Sequence, residues 1–154
     1  MAALTDDELV AVLSEYLTIL QAHRPAEVMM HLIVTPDFKT GFVGGFLWQG
    51  LDGLRDFLSQ RAGFFDERHE IEELLERHDG DDAVEARTRL HFFLRRWEAP
   101  SPFSEEFTGT CFHTWRVRHA DDRWRVAAHL VEKFEDLNEN SRRLFATPDE
   151  GLNR

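Results

Sequence analysis

Near neutral pH the side chains with most to offer chemistry in this 154-residue chain are its eight histidines, its single tyrosine and its single cysteine. His113 lies in a stretch, Glu105 to Glu135, that reads as two long strands joined by a polar turn at Ala120 to Arg123. With Asp121 and Asp122 at the turn centre, Val117 pairs with Val126, Trp115 with Ala128 and His113 with Leu130. One face then collects Cys111, His113, Trp115, Val117, Val126, Ala128, Leu130 and Phe134, and His91 and His129 fall on the opposite faces of their strands. On this register Glu132 sits opposite Cys111 and diagonally beside His113. An inward imidazole and carboxylate form an acid/base pair whose proton affinities burial and mutual attraction can tune toward neutrality; the same pair would equally serve as a buried structural hydrogen bond. Tyr16 could offer its hydroxyl to a substrate oxygen or simply pack with that hydroxyl at the rim. Asp37 could act as a base at a pocket mouth, although an Asp beside Pro36 is equally a turn residue.

Other chemistries find no support. No histidine pair has the H-x-x-x-H or other tight spacing of metal ligands, and Cys111 is alone, so no metal is expected. No glycine-rich phosphate loop, serine elbow or catalytic cysteine setting occurs, and no cofactor is expected. A net charge of −11 repels phosphate backbones and anionic membrane surfaces, so neither nucleic acid nor membrane is an expected partner. The N-terminal MAALTDDELV lacks the basic segment and apolar run of a signal peptide, and with one cysteine there is no intrachain disulfide. A reduced, cytoplasmic compartment is the expectation.

The elements that must position these groups are set by pattern. The length suits one domain spanning 1–154, with an ordered core from about 5 to 137 and a polar tail over 138–154. Thr5 caps a helix, Glu8 completes the capping box, and Leu9, Val12, Leu13, Tyr16, Leu17 and Leu20 recur at helical spacing through about Gln21. A second short helix starts at Pro25 and stops before Thr35-Pro36. Residues 37–48, rich in Phe and Gly, read as a strand that bends at Gly44-Gly45. Gln49-Gly50 leads into a third helix carrying Leu51, Leu54, Phe57 and Leu58 on one face, with Gly63 as its cap. In 66–78 the spacing of Ile71, Leu74, Leu75 and His78 favours helix, and after a turn at 79–82 the alternation over 83–97 is that of a strand. Phe46, Trp48, Phe92 and Trp115 belong to a cavity wall or to the core.

Taken together, this order of elements, WQGLDGLRDFL at 48–58, FTGTCFHTWRV at 107–117 and DDRWRVAAHLVEKFE at 121–135 resemble the SnoaL-like group of the nuclear transport factor two superfamily, over residues 5 to 137. The resemblance implies a cone-shaped α+β fold, in which a strongly curved, mainly antiparallel sheet wraps three helices from the N-terminal half and leaves a central pocket. It also implies that 66–78 is a strand paired with 83–97, against the local helical spacing. The group includes ketosteroid isomerases, scytalone dehydratase, polyketide cyclases and small subunits of ring-hydroxylating dioxygenases. In Gly109 to His113, His113 stands where a Gly-x-Tyr-x-Asp pattern resembling that of the small subunits has its Asp, and the sequence departs from that pattern at two positions. Tyr16 takes the part of the isomerases' helix tyrosine. The isomerases' catalytic carboxylate aligns near Phe42, which disfavours their reaction. The resemblance and the residues together imply a cofactor-independent lyase, isomerase or cyclase acting on a small, apolar, oxygenated ring compound, with His113, Glu132, Tyr16 and Asp37 as candidate catalytic groups. The alternative is a non-catalytic ligand-binding or assembly module. The resemblance further implies a homodimer formed through outer sheet faces, which would cover His91, Phe93 and Val131.

Overall fold

A computed structural model describes residues 3–145. Helix α1 (Asp6–Gln21) starts as its sequence requires: the Glu8 amide donates to Thr5 Oγ1 at 3.1 Å and the Thr5 amide donates to Glu8 Oε1 at 2.8 Å, so two otherwise orphaned donors are satisfied. Its buried stripe is Leu9, Leu13, Tyr16, Leu17 and Leu20. Helix α2 (Ala26–Leu32) follows Pro25 and gives way to β1 (Val34–Phe42). After a turn at 43–46 come the short β2 (Leu47–Gln49) and α3 (Gly50–Gln60). Gly50 enters that helix at φ +67°, a left-handed conformation that a residue with a Cβ adopts only at a cost. Four long strands complete the sheet: β3 (Phe64–Asp79), β4 (Ala83–Arg96), β5 (Glu105–Ala120) and β6 (Arg123–Glu135).

The sheet is six-stranded in the order β2-β1-β6-β5-β4-β3, antiparallel except where β1 runs parallel to β6. Helix α1 packs on β3 and β6, and α3 packs on β1 and β2, so the helices share one face of the sheet. The core between these layers includes Phe38, Leu54, Leu90, Phe107, Trp115 and Val117. Full burial of each such side chain contributes about 1.5–3 kcal/mol before entropy is counted. No helix among the described residues is long and apolar enough to cross a membrane.

Local register breaks decide which side chains face inward. Segment 66–78 is strand, as the family resemblance implies, and not the helix its spacing suggests. The pairing of β3 with β4 shifts between Phe65 and Arg68, between Ile71 and Glu73, and between Leu74 and Glu76. Each shift inserts an unpaired residue, so two inward positions fall three apart instead of two, and Ile71 and Leu74 mimic helical spacing. The hairpin of β5 and β6 turns at Asp121-Asp122 and pairs Val117 with Val126, as expected, but beyond that point the register differs. Ala127 is an extra residue in β6, so Trp115 pairs with His129 rather than Ala128, and His113 with Val131 rather than Leu130. A second extra residue, Glu132, leaves Cys111 opposite Phe134.

The 138–154 stretch divides. Residues Glu139–Phe145 form α4, whose Phe145 ring stacks on Phe134 with centroids 4.8 Å apart, and residues 146–154 lie outside the described ones. Helix α4 packs on β5. Gly109 allows the chain to close there, because a Cβ at that position would lie 2.5 Å from Leu137 Cδ2 and 3.2 Å from the Phe92 ring.

Candidate functional site

The bulge at Ala127 builds the site. A one-residue slip exchanges the two faces of a strand, so His129 and Val131, expected on the outer face, turn inward, and Leu130 turns outward. His129 then faces its cross-strand neighbour Trp115, the two rings stacked at 4.3 Å and 19°. Trp115 is itself fixed by donating Nε1–H to Thr88 Oγ1 at 2.9 Å. Thr40 of β1 donates to the His129 carbonyl at 2.7 Å, which ties down the backbone at the bulge.

With His129 inside, four side chains form a continuous hydrogen-bonded chain. Tyr16 Oη lies 2.9 Å from His129 Nδ1, His129 Nε2 lies 2.9 Å from His113 Nδ1, and His113 Nε2 lies 3.0 Å from Cys111 Sγ. All four residues are buried. Burial disfavours the charged imidazolium, holding His113 down to about 3 and His129 well below the ordinary histidine value; for His129 the neighbouring His113, His69 and Arg61 add to the effect. Burial likewise pushes the Tyr16 phenol and the Cys111 thiol up, so both keep their protons.

Two all-neutral proton arrangements satisfy this chain. In one, Tyr16 donates to His129, His129 to His113, and His113 to the sulfur. In the other every bond is reversed: Cys111 donates to His113, His113 to His129, and His129 to Tyr16, whose hydroxyl turns to Thr40.

Cys111, His113 and His129 form part of the wall of a cavity of about 180 Å³. The rest is mainly apolar, with Phe42, Phe64, Leu90, Phe92, Val131 and Phe134 among its walls. Two further polar residues border it. The His69 amide and Nδ1 both approach Gln21 Oε1, at 3.0 and 3.2 Å. A carbonyl oxygen only accepts, so Nδ1 carries the proton and Nε2 keeps a lone pair. Burial, with the neighbouring Arg61 and His113, brings His69 down to about 3. Arg61 closes α3 and binds Glu67 Oε2 through Nη2. No cluster of His, Cys, Asp and Glu suited to a metal ion occurs among the described residues.

The candidates named from sequence divide accordingly. His113 and Phe92 border the cavity, and Tyr16 and Trp115 lie one layer behind it, against His129. Glu132 does not meet His113: as the second bulge residue it points outward, where both its oxygens accept from Arg87, at 2.7 and 2.9 Å. That guanidinium holds its carboxyl below the usual range. Asp37 is exposed and paired with Arg118 at 2.6 Å, away from the cavity, and Arg118 followed by Thr35 lowers its proton affinity. Phe46 is 63% exposed, packing edge-on against Trp48, which in turn lies against Phe57; neither Phe46 nor Trp48 borders the cavity. Of the outer-face trio, Val131 faces the cavity and Phe93 is covered by Arg68 and Arg95, their charges 4.3 and 5.1 Å from its ring.

Sequence reasoning missed His129, His69 and Arg61. The signal for His129 was the doublet Ala127-Ala128, two small residues either of which fits either face. For Arg61 it was spacing, since Arg61 continues the Leu54, Phe57, Leu58 stripe of α3 by one turn.

No family model and no curated protein matches the sequence. Solved structures do match. A nuclear transport factor two-like superfamily protein from Salmonella enterica superposes with a TM-score of 0.60 at 17% identity, over 81% of this chain and 87% of that one. The chain has the nuclear transport factor two-like fold. Two further proteins share this fold: one from Novosphingobium aromaticivorans proposed to be a scytalone dehydratase (TM-score 0.68, 13% identity, 85% of this chain and 84% of that one), and a ketosteroid isomerase-like protein from Erwinia carotovora atroseptica (0.60, 18%, 84% and 98%). At these identities the likeness is one of fold. In this nuclear transport factor two-like cone the histidine pair of β5 and β6 and the apolar cavity share the concave side.

Proposed function

We propose that the protein is a small-molecule acid/base catalyst of the lyase, isomerase or cyclase type, working without a cofactor on a small apolar ring compound that carries oxygen. The observation that carries this reading is the chain Tyr16–His129–His113–Cys111, which ends at the cavity on sulfur. Sulfur is the weakest partner in the chain, so His113 Nε2 is the nitrogen that a substrate exchanges at least cost.

With its proton on Nδ1, His113 presents a lone pair at Nε2. That nitrogen takes a proton from a carbon beside a carbonyl, and the C–H electron pair becomes the enolate. The Nδ1 proton moves to His129 Nε2, so the positive charge settles on His129, whose Nδ1–H faces Tyr16 Oη. Return of the proton to a different carbon gives isomerisation, and its delivery to a departing hydroxyl gives elimination. Burial makes an isolated imidazolium costly, and the enolate formed beside it offsets that cost as a buried ion pair. The dehydratase- and isomerase-like proteins that share the fold are consistent with such chemistry.

A second reading, ligand binding without turnover, is favoured by the fact that both nitrogens of His113 and of His129 already have partners. Exchange of α-protons in D2O, followed by proton NMR with cyclohexanone and 2-cyclohexenone, separates the two. The catalytic reading expects exchange above the buffer rate that falls about 100-fold in His113→Gln. Absence of exchange with either ketone would leave the binding reading.

A further inference from the structure

Arg61, like His69, is a feature of the cavity that neither the apolar walls nor the histidine chain explains. Its side chain is 13% exposed, and Nη2 is committed to Glu67, whose own side chain is fully buried. The other oxygen of Glu67 lies 2.5 Å from His23 Nε2 without forming a hydrogen bond to it. Arg61 Nη1, like Glu67 Oε1, is shut off from solvent and has no hydrogen-bond partner. A buried donor of a charged group left in that condition is costly, and a bound acceptor would relieve the cost. The aromatic wall continues beside it, with the guanidinium carbon 5.6 Å from the Phe57 ring centre. The Arg61 charge acts on the groups around the cavity: it disfavours the cations of His69 and His129, and at Tyr16 it opposes the larger effect of burial. The cavity volume of about 180 Å³ suits one six-membered ring with a small substituent, given that a cavity of roughly 150 Å³ holds benzene.

We propose that the cavity takes a single-ring carboxylate, with the ring against the phenylalanine walls and the carboxylate paired with the Arg61 guanidinium. This rests on reading the cavity as the ligand site, and it narrows the substrate class from oxygenated ring compounds to ring acids.

Isothermal titration with benzoate and with its neutral isostere benzamide at pH 7 tests the proposal. Benzoate is expected to bind about 10-fold or more tightly than benzamide, as a charge-assisted hydrogen bond allows. Arg61→Leu alone would strand the buried Glu67, so the informative variant is Arg61→Leu/Glu67→Leu, which keeps the charge balance. That double variant is expected to lose the benzoate preference while still binding benzamide. Glu67→Gln, which leaves the Arg61 charge uncompensated, is expected to increase the preference. Equal binding of the two probes by the native protein, or a preference that survives in the double variant, overturns the role of Arg61. If neither probe binds the native protein, the ligand-site reading falls together with this one. If benzoate is preferred but ketone exchange is absent, only the catalytic reading falls.

Discussion

The two faces of β6 carry the same kinds of residue to opposite ends. On the concave face His129 is neutral, desolvated and joined to three other buried groups, so each member depends on its neighbours. On the convex face Glu132 is charged, partly solvated and paired with Arg87 in a lattice that also holds the pairs of Arg89 with Glu73 and Arg95 with Glu106. Exposed pairs of this kind are screened and contribute little singly. A buried chain gains strength from low polarity, and for the same reason loses heavily when one link fails. The difference teaches that in this sheet a histidine or a glutamate becomes functional or merely soluble according to a single extra residue in the strand.

The largest expected effect separates the faces by pH. His69 and His113 have folded values of about 3 and His129 one well below that of the unfolded chain, so below about 6.5 the unfolded state binds protons that the folded state refuses. Stability is therefore unaffected above pH 6.5 and falls as pH drops below it, by about 2 kcal/mol at pH 5 for each of His69 and His113, with His129 adding in the same direction. The convex carboxylates, Asp37 and Glu132, are also depressed, but their contribution is present above the ordinary carboxylate range and is lost only as pH falls through their lowered values. Urea unfolding from pH 8 to 3 is expected to show loss that has already set in between 6.5 and 5. A main loss confined below pH 4 would place the pH-sensitive groups on the convex face instead.

A smaller effect comes from cutting the chain. His113→Gln and Tyr16→Phe each leave a buried partner short of one hydrogen bond, and each is expected to cost about 1–3 kcal/mol in chemical denaturation. If the chain acts as one unit, the double variant costs less than the sum of the two singles. Strict additivity would mean that the members act independently. The smallest effect belongs to the convex face, where Glu132→Gln is expected to move Tm by no more than about 2 °C. A larger shift would make the carboxylate structural.

Legibility in the sequence divides along the same line. The capping box of Thr5 and Glu8, the Asp121-Asp122 turn and the pairing of Val117 with Val126 depend on local chemistry and were readable. The fold of β3 was not readable from periodicity, because its register shifts erase the alternation that marks a strand, and family resemblance supplied it instead. The candidate site was half readable. Tyr16 and His113 lie before the break in register and point as their spacing says. Glu132 and His129 lie beyond Ala127, where the choice of face is made by whether the alanine doublet holds a bulge, and nothing in the two side chains announces one. Arg61 was hidden by its own chemistry, since an arginine closing a helix is ordinarily solvated.

The most direct test of the account is the hydrogen bond between the two histidines. Nitrogen-15 NMR of the imidazoles is expected to show a through-bond coupling between His129 Nε2 and His113 Nδ1, which lie 2.9 Å apart, with both rings neutral from pH 8 to 5. Absence of the coupling, or titration of either ring near 6.5, would return His129 to the outer face and contradict the chain on which the proposed chemistry rests.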